Sequence, residues 1–226
     1  ASATGTIQWQ RADDLAFTAN VTNVGTNSTT LTSAQVGALT ATKYFRAVVT
    51  NGTCSSVNSA IITVNVDAPS AVGAVSANQT ICSGSSPADL TIASATGTIQ
   101  WQRADDLAFT TNVTNVGTNS TTLTSAQVGA LTATRYFRAV VTNGTCSSVN
   151  SAIITVNVDA PSAVGAVSAN QTICSASAPT DLTIASATGT IQWQRADDLA
   201  FTANVTNVGT NSTTLTSAQV GALTAT

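Results

Sequence analysis

The chain has 226 residues, of which 43% are hydrophobic and only 8% charged, against roughly 25% charged in an average globular protein. With 14 Gly and 4 Pro it is no low-complexity tract, so a packed core is open to it. A net charge of −3, ten acids that are all Asp and no His exclude a basic nucleic-acid footprint and all His-based chemistry.

The predicted elements are organised by a repeat. Ala1 to Trp9 returns as Ala93 to Trp101 and again as Ala185 to Trp193, a period of 92 residues. Pairing residues 1–134 with 93–226 leaves six differences: Ala19/Thr111, Lys43/Arg135, Gly84/Ala176, Ser86/Ala178, Ala88/Thr180 and Thr111/Ala203. Ninety-two residues suit one small β domain better than a solenoid unit that leans on its neighbours. The apolar run Ser59 to Val66 ends at Asp67-Ala68-Pro69-Ser70, and Pro cannot donate to a sheet ladder, so the junction is expected there. This gives residues 1–68 as a domain lacking its first strands, 69–160 as a complete domain and 161–226 as a domain lacking its last strands. The chain is expected to be a window on a longer repetitive polypeptide. The apolar stretches, Ala60 to Val64 among them, are far shorter than the ~20 residues of a spanning helix, so no membrane span is expected in this segment.

Within 69–160 the hydrophobic period is two, and no stretch sustains a helical period. The expected strands are 71–77, 88–95, 97–103, 108–114, 120–125, 134–142 and 148–158. Asn143-Gly144 between two strand-like runs signals a hairpin. Seven short strands in one unit predict an all-β fold of tandem immunoglobulin-like antiparallel β-sandwiches, about seven strands each. Alternation places Leu90, Ile92, Ile99, Trp101, Phe137 and Val141 in the core. Thr and Ser make up 26 of the first 92 residues, a composition that covers the solvent face of strands without charge.

The runs Gln79-Thr-Ile-Cys82-Ser-Gly, Gly97-Thr-Ile-Gln-Trp-Gln102 and Tyr136-Phe-Arg-Ala-Val-Val-Thr-Asn-Gly-Thr-Cys146 resemble the immunoglobulin-like repeats of giant secreted or surface-anchored adhesins of Bacteroidetes, associated with gliding and type IX secretion. The resemblance covers essentially the whole chain. It implies a sandwich bead in a long extracellular array at the cell surface, with no catalytic residue. One departure from antibody domains stands out: Ser94 and Ala139 occupy the positions where the inter-sheet cysteines would be, given Trp101 as the inward Trp.

The four cysteines fall by the period into two sites, Cys82 with Cys174 and Cys54 with Cys146. Without His or a C-x-x-C they hold neither a zinc site nor a Cys/His nucleophile. A disulfide between Cys82 and Cys146 is expected, closing a loop worth roughly 4 kcal/mol, with an unpaired buried thiol or a bond between neighbouring beads as the alternatives. Asp105-Asp106 and the junction residues Asp67 and Asp159 are candidate calcium ligands set against ordinary solvated turns. Asn20, Asn27, Asn51 and Asn78 open Asn-x-Thr/Ser triplets, read as chance in a Thr-rich chain.

Three function classes follow. The first is a stalk or fibre carrying a distal adhesive region, with neighbouring repeats as partners. A repeated weak glycan- or surface-binding module acting by avidity, or the subunit of a filament formed by lateral self-association, is the alternative. An enzyme is not expected, since Asp would be its only acid-base group; no cofactor, metal or nucleic acid is implied.

Overall fold

A computed structural model describes residues 4–224 and is almost wholly β. Its plan is clearest in the middle unit. There Thr98–Ala104 lies antiparallel between Thr114–Val116 and Arg135–Thr142, and Arg135–Thr142 is followed across the sheet by Ile154–Asp159 and then by Gln79–Cys82. Val149–Asn150 also pairs with Arg135–Thr142. Against this sheet stand two short antiparallel pairs, Leu90–Thr91 with Thr122–Leu123 and Ala71–Val72 with Ala95–Thr96. Two layers face each other across one core, which is the immunoglobulin-like sandwich the period-two pattern implies.

Register explains the interior. Ile99 is opposite Val141 and Trp101 opposite Ala139, so the side chains of each pair leave the sheet on one face. The methyl of Ala139 leaves room for the indole, and Trp101 and Phe137 are both completely buried. Leu90, Ile92, Ile99, Trp101, Phe137 and Val141 join Leu123, Ile154 and Val156 in a single cluster. Burying an indole also buries its N–H, and Trp101 Nε1 donates to the Ser120 carbonyl at 2.9 Å. The same bond recurs from Trp9 to Ser28 and from Trp193 to Ser212.

Several elements depart from the expected strands. Most of 108–114 is a loop, braced by Asp106, and the strand there is Thr114–Val116, while 148–158 is split into Val149–Asn150 and Ile154–Asp159. Gln79–Cys82 is an additional strand, parallel to Ile154–Asp159, and its four residues alternate between half-buried and exposed. Asn78 Oδ1 accepts the Thr155 N–H at 2.8 Å and starts that pairing. The stretch 71–77 is interrupted after Val72, because the Gly73 backbone packs onto Ser94, where an added Cβ would come within 2.7 Å of the Ser94 hydroxyl. The end of 120–125 turns into one helical turn, Ser125–Val128, fixed by a capping box in which Thr124 and Gln127 each bond the other's backbone N–H.

In the first unit Thr6–Ala12, Thr22–Val24, Lys43–Thr50, Val57–Asn58 and Ile62–Val64 form one five-stranded sheet. In the third, Leu182–Thr183 pairs with Thr214–Leu215, Ala163–Val164 with Ala187–Thr188, and Trp193–Arg195 with Thr206–Val208.

Candidate functional site: the contact between successive repeats

The densest cluster of polar contacts between units lies where the first hands over to the second. Asp67-Ala68-Pro69-Ser70 runs against the hairpin Asn143-Gly144-Thr145-Cys146, which projects beyond the end of Arg135–Thr142. One Asp67 carboxylate oxygen accepts both the Thr145 N–H at 2.9 Å and the Thr145 hydroxyl at 3.2 Å. The Asn143 side-chain amide donates to the Ala68 carbonyl at 2.8 Å, and the Asn143 N–H donates to the Ser70 hydroxyl at 2.9 Å. The Asp67 carboxylate, the Ala68 carbonyl and the Ser70 hydroxyl are thus all engaged by the hairpin. Proline in the middle, with φ fixed near −65°, narrows the conformations that remain.

Gly144 makes the approach possible. It has φ +52°, in the left-handed region, and a Cβ there would collide with the Asp67 carboxylate. The first unit supplies the comparison. Gly52, its counterpart, has φ +57° with nothing near the place of a Cβ, and the turn closes with the same bond, Cys54 N–H to the Asn51 carbonyl at 3.1 Å against Cys146 to Asn143 at 2.9 Å. The hairpin therefore holds its docking shape whether or not a neighbour touches it. Little ordering remains to be done when it docks.

Cys82 and Cys146 are free thiols at opposite ends of the middle unit, so the expected Cys82–Cys146 disulfide is not formed. Cys82 is paired with Asp159, where the chain leaves the unit, and the Cys146 sulfur lies 3.3 Å from the Ala68 carbonyl, where the chain enters. The eight residues of Arg135–Thr142 lie between these two levels, more than about 20 Å at strand rise, while a disulfide needs Cα atoms within about 7 Å. Alternation could not reveal this, because the end at which each turn emerges is a matter of topology.

Of the acidic candidates, Asp105 and Asp106 are committed to local bonds. Asp106 accepts the N–H groups of Thr110 and Thr111 at 2.9 and 2.7 Å and the Thr110 hydroxyl at 2.7 Å. These donors, the Thr110 hydroxyl foremost, hold its carboxyl below the usual carboxylate range, and Asp14 and Asp198 are lowered in the same way by Thr18 and Thr202. Asp105 bonds the Asn112 amide at 2.8 Å and the Arg135 guanidinium at 2.9 Å. Among the described residues no group of three or more Cys, Asp or Glu is placed to hold a metal ion. In the same loop Phe109 takes φ +54° and lies beneath Arg138, 4.2 Å from guanidinium carbon to ring centroid, so neither Phe109 nor the buried Trp101 offers a face for stacking on sugar.

The third unit has a cavity of about 810 Å3 lined by Val167, Ile173, Leu182, Trp193, Phe201 and Leu215, among others. In the middle unit the equivalent apolar residues close over Phe137, Val141, Ile154 and Val156. Phe201, which lines the cavity, is 51% exposed where Phe109 is 8%.

Sandwich units joined in series, the first and second through a hairpin contact, define the class: a tandem immunoglobulin-like β-sandwich protein. The chain belongs to the family described as "Domain of unknown function (DUF8696)", which it matches over residues 1–68, 71–160 and 163–226. No curated protein matches it. Among solved structures it is similar to domains A168–A170 of titin, at 15% identity and a TM-score of 0.37, covering 96% of this chain and 78% of that one. It is also similar to the FN1–FN3 domains of chicken CNTN1, at 12% identity, TM-score 0.29 and coverage of 97% and 80%. A third similarity is to a Ca2+-stabilised adhesin with which an Antarctic bacterium binds ice, at 11% identity, TM-score 0.30 and coverage of 81% and 50%.

Proposed function

We propose that the chain is a stalk segment of an extracellular bacterial surface adhesin, of the gliding and type IX secretion kind its motifs resemble, and that its repeats hold an adhesive region away from the cell. The observation that carries this reading is the contact between Asp67-Ala68-Pro69-Ser70 and the Asn143–Cys146 hairpin. A spacer must transmit orientation from one bead to the next, and a connection held at the Asp67 carboxylate, the Ala68 carbonyl and the Ser70 hydroxyl by the following bead does so. The reading is also supported by side-chain chemistry spent on structure: the Asp residues of the 105–112 loop brace that loop, and Trp101 is core.

Spin labels on Cys54 and Cys82, with Cys146→Ser and Cys174→Ser, test it by reporting the distance between the first and second units. A single narrow distance distribution is expected, and Asp67→Ala or Asn143→Ala should broaden it. Distributions equally broad in all three proteins would refute a fixed junction. Binding of the chain to members of a glycan array would favour the repeated weak-binding module instead.

A further inference from the structure

We infer that the two cysteine sites are the two halves of a covalent link between successive repeats, in which Cys82 of one repeat bonds the Cys146-type cysteine of the next. The structure shows each half at a different junction. At the entry to the middle unit, the Asp67 carboxylate points at the hairpin that carries Cys146, and the Cys146 sulfur lies 3.3 Å from the Ala68 carbonyl and 3.6 Å from that of Asp67. At the exit, Asp159 and Ala160 stand one period after Asp67 and Ala68. Asp159 is the direct partner of Cys82 in the parallel strand pair, and the Ser83 N–H donates to the Asp159 carbonyl at 2.9 Å.

Directly paired residues project to the same face of a sheet, with Cα atoms about 5 Å apart. The Cys82 side chain is therefore on the side of Asp159 that, by the period, faces the hairpin of the following unit. Carrying the entry geometry onto the exit puts the following hairpin's cysteine against the Asp159 and Ala160 carbonyls, beside Cys82. Exposure agrees with this placement. Cys146, at a made junction, is partly covered, whereas Cys54, whose hairpin meets no neighbour among the described residues, is exposed, as is Cys82. Such a bond joins cysteines of successive repeats and none within one repeat.

The reaction is thiol–disulfide exchange with a low-molecular-weight disulfide such as glutathione disulfide. One cysteine thiolate attacks it to form a mixed disulfide and releases one small thiol; the second cysteine thiolate attacks the mixed disulfide and releases the other. The two protein thiols lose two electrons and two protons in total, and the small disulfide gains them. The inference goes beyond the stalk reading and is separable from it, since a junction can be fixed without being bonded.

Two extended proteins test it. The first adds a copy of Arg135–Ala160 after Thr226, supplying the hairpin that would follow Cys82. The second adds a copy of Pro69–Ile92 before Ala1, supplying the strand that would meet Cys146. After equilibration in a glutathione redox buffer, alkylation and non-reducing peptide mapping should find one bond in each: Cys82 to the appended copy of Cys146, and the prepended copy of Cys82 to Cys146. Each protein should then show two fewer alkylated thiols than after reduction, and Cys82→Ser in the first should free the appended cysteine, so that all remaining thiols alkylate alike before and after reduction. Full alkylation of both folded proteins, or a bond between Cys82 and Cys146 in either, would overturn the inference. Narrow spin-label distances alongside full alkylation would leave the stalk reading intact while ruling out the bond.

Discussion

At the scale of single residues, Trp101 and Trp193 have identical neighbours in sequence and different surroundings in space. Trp101 is fully buried between two layers, and Trp193 lines an open cavity. Truncating Trp101 to Ala removes the largest side chain from a closed core and should cost about 3–5 kcal/mol. Trp193→Ala in the same chain should cost clearly less, and denaturant melts of the two variants compare them. Gly144 is a different kind of key residue, because its replacement adds one carbon. Both glycines sit in a backbone region that disfavours an added Cβ, but Gly144→Ala also sets that carbon against the Asp67 carboxylate, whereas at Gly52 it meets open space. Spin-label distances across the junction should broaden for the first and stay narrow for the second.

The loop carboxylates set the pH response. Asp106 has its carboxyl lowered in the folded chain, first by the Thr110 hydroxyl and then by the Thr111 N–H. A group depressed on folding contributes stability above its unfolded value, about 4, and loses that contribution as pH falls through the lower folded value. The 105–112 loop should therefore loosen only in acid below about pH 4. Thr110→Ala, which removes the largest cause, should move the Asp106 carboxyl back toward the ordinary value in an NMR titration. An unmoved titration would show that the backbone donors alone hold it down.

Among the elements, the sheet of the middle unit is largely written in its own local pattern, and its second layer is not. Thr98–Ala104 and Arg135–Thr142 alternate clearly, since each has one face on the core and one in water. Strands of two residues, such as Leu90–Thr91 and Thr122–Leu123, are too short to alternate, and their position depends on the partner across the sheet. The parallel pairing of Gln79–Cys82 with Ile154–Asp159 joins segments about as far apart as the unit allows, so the alternating pattern of neither segment announces the other. The same holds for the junction. Asn143-Gly144 and Asp67-Ala68-Pro69-Ser70 are each visible as a turn and a break, but their meeting depends on which end of the sandwich each occupies. The helical turn Ser125–Val128 could have been found from Thr124-x-x-Gln127, a capping box concealed by a pattern that otherwise reads as strand. Thr124→Ala should cost about 1 kcal/mol in a thermal or denaturant melt, through loss of the Gln127 N–H acceptor.

For the whole molecule, the positions of entry and exit decide the arrangement. The chain enters the middle unit beside the Asn143–Cys146 hairpin and leaves it at Asp159, beyond the other end of Arg135–Thr142, so beads follow one another end to end. With roughly 25–30 Å per bead at strand rise, small-angle scattering of the chain should give a maximum dimension of about 80–100 Å. A folded-back particle of about half that length would contradict this arrangement.

The hairpin on one face of a bead and the Asp-Ala-Pro-Ser connection on the other are unlike surfaces, so the contact is heterologous and has no symmetry that closes it into a ring. Because the repeats are almost identical, removing or inserting 92 residues at any point joins the same two surfaces again. Reach thus becomes a quantity that unequal recombination between copies can adjust in whole steps, with no new interface to be invented and no folded bead to be altered.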